Sequence, residues 1–360
     1  MYNLKVILWM FVAFSSHAQM GKELGIEFRQ KLGFLAAHRG VMGHLAEGHA
    51  FAGEVSFFQQ TRGKKQWHSA FNYPQVGVTL FGGSVGNNTI LGTYWGAYSF
   101  IEIPFTHSDK FGFSAKIGSG LGYGTKIYDP ISNPKNVAMS AHLNALICFG
   151  LKSSYTFGRN KITAGADMTH FSNGASKVPN LGVNLPYLSL GYSRTIQSKP
   201  KDTLVLQNQL PFKKWLFGVT LIGSSKETFP TGGKQHPVFA VSTSFRWFNK
   251  PKVGVEVAFD VISKQAILSY KKEIQKTQWD ILQMGLYIGY LVPLDNFHLT
   301  IGMGTYVKDK YQPEDFMYHR VGMRYYFKNG INTQIILKSH WARADYVEWG
   351  IGYTFNYVKK

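Results

Sequence analysis

Val347-Glu348-Trp349-Gly350-Ile351-Gly352-Tyr353-Thr354-Phe355-Asn356-Tyr357 is the stretch that decides the fold. Aliphatic and aromatic side chains take every second position, and Glu348, Gly350, Gly352, Thr354 and Asn356 take the positions between. Successive side chains on a strand point to opposite faces, so one face here is aromatic and apolar and the other polar or small. A run of about ten alternating residues, rich in aromatics and close to a chain end, is the pattern of a membrane-spanning barrel strand.

The same period recurs upstream, in segments separated by Gly, Asn, Asp, Pro and Lys. Candidate strands are 25–36, 49–60, 75–82, 91–104, 110–124, 142–157, 161–172 and 184–195, then 214–223, 237–248, 251–262, 280–292, 296–307, 318–328 and 331–341. With the terminal strand, about eight precede residue 198 and eight follow it. The expected fold class is all-β, a transmembrane antiparallel β-barrel: two tandem eight-stranded barrels, or alternatively one barrel of about sixteen strands.

The N-terminus reads as a cleaved signal peptide over 1–18. Lys5 is the basic start, Val6 to Phe14 the uncharged apolar run, and Ser16-His17-Ala18 the small-residue site before Gln19. That run is too short to cross a bilayer as a helix. Cys148 is the only cysteine, so an exported chain of this length must take its stability from ordered architecture instead of disulfides. The net charge of +19 becomes +18 once Lys5 is removed (19 − 1), a balance that suits an anionic partner. For an exported protein that partner is a phosphorylated lipid surface of the outer membrane, and no nucleic acid is expected. Mean hydropathy is slightly negative. A helical membrane protein would be far more apolar, whereas a barrel confines its apolarity to alternate residues.

Residues 198–213, opening Ser198-Lys199-Pro200-Lys201-Asp202, read as a linker between units at 19–197 and 214–360. Short sequences recur across it in the same order. Ile103-Pro104 is echoed by Val292-Pro293, Tyr155-Thr156-Phe157 by Tyr325-Tyr326-Phe327, His170-Phe171-Ser172 by His340-Trp341-Ala342, and Leu190-Gly191-Tyr192 by Ile351-Gly352-Tyr353. An internal duplication is the expectation.

Asp167-Met168-Thr169-His170-Phe171-Ser172-Asn173, followed by Pro179-Asn180-Leu181-Gly182-Val183-Asn184, carries the chemistry. Serine hydrolysis of an ester needs a hydroxyl, an imidazole to deprotonate it and donors for the oxyanion. On a strand His170 and Ser172 share a face, together with Ile162, Ala164, Ala166 and Met168, while Asp167 falls on the other face. Asn173 and Asn180 offer amides, and Asn184 reaches the same place if its strand forms a hairpin with that of His170.

The spacing H-x-S-N, then Asn ten residues after the His within P-N-x-G, resembles the outer-membrane lipid A 3-O-deacylase family over residues 20–197. The resemblance implies an eight-stranded barrel hydrolysing an ester-linked acyl chain of lipid A, with lipopolysaccharide as substrate and neither metal nor organic cofactor. It implies His170 as general base, Ser172 as nucleophile, and Asn173 and Asn180 as oxyanion or loop support. The family's catalytic Glu, fourteen residues after the His, is replaced by Asn184. An amide can orient an imidazole through its carbonyl oxygen but brings no full charge. The alternative function is therefore a non-catalytic barrel with a lipid-binding or structural role; a diffusion channel would require the single wide barrel. In the second half His340 lies in phase with Asn332, Gln334 and Lys338, and Ala342 stands where the serine would be, so that copy lacks a nucleophile.

Two weaker signals have blander readings. His38, His44, Glu47 and His49 crowd one expected outer loop without a metal-ligand spacing, and suit headgroup contact better than a metal. Gly118, Gly120, Gly122 and Gly124 alternate on a strand and make room for interior side chains, lacking the lysine spacing of a phosphate loop.

Overall fold

In a computed structural model, which describes residues 23–106, 108–197, 214–228, 230–270, 275–341 and 343–355, the alternating segments are sixteen antiparallel strands. The first eight are β1 (Glu23–Phe34), β2 (His49–Gln60), β3 (Gln75–Ser84), β4 (Thr93–Pro104), β5 (Phe111–Gly124), β6 (Leu143–Phe157), β7 (Asn160–Ser172) and β8 (Val183–Gln197). The second eight are β9 (Trp215–Glu227), β10 (Gln235–Lys250), β11 (Val253–Lys264), β12 (Leu282–Leu294), β13 (Phe297–Lys308), β14 (Met317–Tyr326), β15 (Ile331–His340) and β16 (Arg343–Phe355). A short helix, α1 (Gln66–Ala70), lies between β2 and β3.

Neighbours in sequence are neighbours in each sheet. β1 closes on β8 and β16 closes on β9, giving two separate barrels of eight strands. The single barrel of about sixteen strands is thereby excluded. The expected signal peptide and linker fall outside the described residues. Each sequence echo begins on strands of the same ordinal in the two barrels: β4 and β12, β6 and β14, β7 and β15, β8 and β16. Strand ends shift by up to four residues. β9 runs on to Glu227 through Ser224-Ser225-Lys226, which carry no apolar alternation but still pair with β10 through the backbone.

Alternation sorts side chains as expected. Phe28, Leu80, Phe149, Ile162, Leu188 and Leu190 stand out from the first barrel, and Leu221, Phe239, Ile301 and Ile351 from the second. Apolar side chains ringing both barrels suit lipid rather than water. The interiors are polar and filled. In the first, Lys31 lies 2.6 Å from Asp167 and 3.0 Å from Glu54, and Lys152 lies 2.6 Å from Glu102. In the second, Arg320 bridges Asp260 at 2.6 Å and Glu348 at 2.8 Å, and Arg324 holds Glu256 at 2.6 Å. An eight-stranded barrel is about wide enough for its own side chains, so the diffusion-channel reading falls with the wide barrel.

The alternate glycines of β5 leave space for rings. A Cβ on Gly118 would stand 2.4 Å from Tyr98, and one on Gly122 would stand 2.4 Å from Phe171. At the end of the first barrel where β7 finishes, the connecting loops pack into a small apolar core. Met42, Leu45, Leu91, Ala138 and Met139 are all fully buried there. The site is built on this end.

Candidate active site

β7 reaches the loop end with Phe171 as its anchor. The Phe171 ring is buried in the interior, edge-on to Tyr94 at 4.8 Å and 5.6 Å from Phe81. A one-residue slip would expel that ring, so Phe171 fixes the phase of its two neighbours. His170 and Ser172 consequently lie on the outward side, the face of Ile162, Ala164, Ala166 and Met168. Asp167 and Thr169 lie on the opposite side with Phe171, and Asp167 is spent on Lys31 and Arg29. It has no part in the constellation.

The hairpin between β7 and β8 pairs His170 directly with Asn184. Directly opposed residues of an antiparallel ladder share a face at short range, and Asn184 Oδ1 lies 2.6 Å from His170 Nδ1. An amide oxygen only accepts, so Nδ1 carries the ring proton and Nε2 is left as the basic nitrogen. Asn184 Nδ2 in turn donates to His38 Nδ1 at 2.9 Å. His38 thus fixes which way the Asn184 amide faces. Sequence reading placed His38 in a loop suited to headgroups and missed this contact, because it joins residues 146 positions apart. Among the described residues His38, His44, Glu47 and His49 do not converge as metal ligands; His44 instead contacts the Lys135 carbonyl at 2.8 Å.

Ser172 Oγ accepts from Asn180 Nδ2 at 2.9 Å and from the Gly174 N–H at 3.1 Å. The Asn173 N–H donates to Asn180 Oδ1 at 3.1 Å, turning the other end of that amide toward the serine. Asn173 Nδ2 donates to Ser140 Oγ at 3.2 Å, so its side chain braces the loop while its backbone orients Asn180. With two donors on its oxygen, the serine hydroxyl has its own proton left to give. No hydrogen bond joins Ser172 to His170 in this conformation; such contacts are often long in ligand-free sites and tighten with substrate. Gly182 was part of the quoted motif but its role was not foreseen. It adopts φ +79°, and a Cβ there would come 2.9 Å from His170 Cε1. Only glycine lets the loop pass this close to the imidazole.

The equivalent place in the second barrel is different. His340 is buried in the interior, 3.2 Å from Tyr306 Oη and 3.7 Å from Asp345. Ala342 lies outside the described residues. Glu314, His340 and Asp345 do offer atoms within 4.8 Å of one another. Lys264, however, sits 2.7 Å from Glu314 and 2.8 Å from Asp345, and Lys226 also pairs with both. The carboxylates are already neutralised, and the lysines would repel a metal ion.

The class of protein is therefore a tandem of closed β-barrels, the first with a hydroxyl, an imidazole and amides assembled on its apolar outward side. The lipid A 3-O-deacylase (PagL) family matches residues 52–193, and the acyloxyacyl hydrolase C-terminal domain matches residues 215–357. The chain belongs to this family of lipid A deacylases, which are ester hydrolases, with one family unit in each half. No curated protein matches the chain. Among solved structures, a mutant of the Rh. blastica porin is 10% identical, covering 93% of this chain and 100% of its own, at a TM-score of 0.19. A triple mutant of the Rhodopseudomonas blastica porin is 9% identical over the same shares, at a TM-score of 0.18. Likeness at that level carries no weight for fold or function.

Proposed function

We propose that this protein is a serine esterase of the outer membrane that removes the ester-linked 3-O-acyl chain of lipid A. The observation that carries the reading is the hydrogen bond from His170 to Asn184 on the apolar outward side, beside a serine whose oxygen already receives an amide donor. In this mechanism Ser172 Oγ attacks the ester carbonyl carbon and His170 Nε2 takes its proton. Asn180 Nδ2 and the Gly174 N–H stabilise the oxyanion. The tetrahedral intermediate collapses, the sugar oxygen leaves with the proton from His170, and the acyl group remains on Ser172. Water, deprotonated by the same imidazole, then attacks the acyl carbon; the bond to Ser172 Oγ breaks, the imidazolium returns its proton to Oγ, and the 3-hydroxy fatty acid leaves. Asn184 sets the tautomer but lends the imidazolium no charge, so its place in the cycle is orientation.

The neutral amide at Asn184 also favours a second reading, a non-catalytic barrel that binds lipid A without cleaving it. Mass spectrometry of lipid A from Gram-negative cells with the protein, without it, and with Ser172→Ala separates the two. Loss of one 3-hydroxyacyl chain only in cells carrying the intact serine is the expected result. Unchanged lipid A in all three would overturn the esterase and leave the binding barrel.

A further inference from the structure

The two barrels touch beside the site. In the β7–β8 loop, the Val178 N–H donates to Glu227 Oε2 at 2.8 Å, and the Ser176 carbonyl accepts from Gln235 Nε2 at 2.8 Å. Gly174, whose N–H reaches Ser172, packs so closely on Val347 of β16 that a Cβ would stand 2.4 Å from its Cγ2. The loop that presents Asn180 to the serine is thus held on its far side by the second barrel.

Next to this seam is a cleft of about 330 Å³ whose lining includes His38, Arg39 and Val41 of the β1–β2 loop, Asn180 and Leu181 of the β7–β8 loop, and Arg343 at the start of β16. Two of these residues contact the catalytic constellation: Asn180 at the serine and His38 at Asn184. Two others are exposed arginines from different barrels, and no carboxylate lines the cleft. Among the described residues neither guanidinium pairs with an acid, whereas the interior arginines Arg246, Arg320 and Arg324 all do.

We propose that this cleft between the barrels seats the phosphorylated sugar headgroup of lipid A, with Arg343 and Arg39 as its phosphate ligands. The second barrel then completes a substrate site that the first cannot form alone. The inference rests on the esterase reading and names how the substrate is held. Three features support it. A phosphate monoester carries about −1.5 to −2 charge near neutral pH, and a guanidinium fork meets two of its oxygens at once. The cleft lies at the loop end of the barrels, next to an apolar outward face that suits acyl chains. The scissile ester joins headgroup to chain, and Ser172 is the last residue of β7, at the boundary between those two zones.

The test uses the full chain in detergent, with titrations of bis-phosphorylated lipid A, the same lipid with both phosphates removed, and phosphatidylglycerol micelles. Arg343→Gln, Arg39→Gln, their double variant and Arg343→Lys are compared with wild type, with folding checked by heat-dependent gel mobility. Wild type is expected to prefer the phosphorylated lipid A over the other two. Arg343→Gln should weaken that binding about tenfold, the double variant further, and Arg343→Lys should recover part. Binding of the phosphate-free lipid should not move, and any kinetic loss should fall on KM. Equal affinity of wild type and the double variant for phosphorylated lipid A would overturn the proposal. So would an equal loss on phosphate-free lipid, or equal binding of phosphatidylglycerol. Arginine-dependent binding without release of fatty acid would retain this site and reject the esterase; cleavage indifferent to both arginines would do the reverse.

Discussion

Asn184 Oδ1 lies 2.6 Å from His170 Nδ1, and the two residues are direct partners across the β7–β8 ladder. The pairing register therefore sets which group faces the imidazole. Asn184→Glu should hold or modestly raise the rate near neutral pH, because a carboxylate adds charge to a ring already in position. Asn184→Leu should cut it by up to about 10⁴, the loss seen when a catalytic histidine is left in the wrong tautomer. The check is release of 3-hydroxy fatty acid from purified lipid A in detergent. Equal rates for wild type and Asn184→Leu would remove this residue from the mechanism.

His38 acts one step further out, by holding the Asn184 amide so that its oxygen faces His170. His38→Leu frees that amide to turn, and we expect a drop of about tenfold in kcat, the value of one hydrogen bond near a charged group. A carboxylate has no wrong end. In the Asn184→Glu background the same His38→Leu change should cost much less, and a double-mutant cycle measures the difference. Additive losses would show that His38 does not work through Asn184.

Ser172→Ala and His170→Ala should each abolish deacylation and leave both barrels folded. Each ends or nearly ends its strand, and the phase of β7 is held by Phe171, not by them. By contrast His340→Ala should keep full activity, since His340 faces the interior of the second barrel and contacts Tyr306. A loss at His340 as deep as that at His170, with folding intact, would mean the active copy has been misassigned.

Asp167→Ala tests the interior instead of the site. It strips Lys31 of a carboxylate at 2.6 Å and leaves that ammonium short of a partner in a closed barrel. Removing one member of a buried pair costs about 3–5 kcal/mol. We expect a clear fall in the urea midpoint for unfolding, with any remaining folded protein still able to bind lipid A. An unchanged midpoint would show that Glu54, 3.0 Å from the same ammonium, suffices alone.

Alternation alone determined much of this protein. A period of two is a local property of the backbone, so Val347 to Tyr357 and fifteen similar segments could be recognised as strands without any partner. The same rule placed His170 and Ser172 together on the outward face and Asp167 on the other, and it placed His340 inward. It also explained the glycines of β5 as space for interior side chains, a space that the rings of Tyr98 and Phe171 occupy. What it could not decide is where the sheet closes. Pairing β1 with β8 joins residues more than 150 positions apart, and a strand able to pair with its neighbours has no sequence mark for which distant edge it will meet. The linker and the ordered echoes pointed to two barrels, and the β1–β8 and β9–β16 pairings bear that out, but His38 reaching Asn184 across the β1–β8 seam and Arg343 of the second barrel beside Asn180 of the first were decided by tertiary structure. Side-chain direction follows from local geometry, whereas the company a side chain keeps depends on contacts that only the closed fold creates.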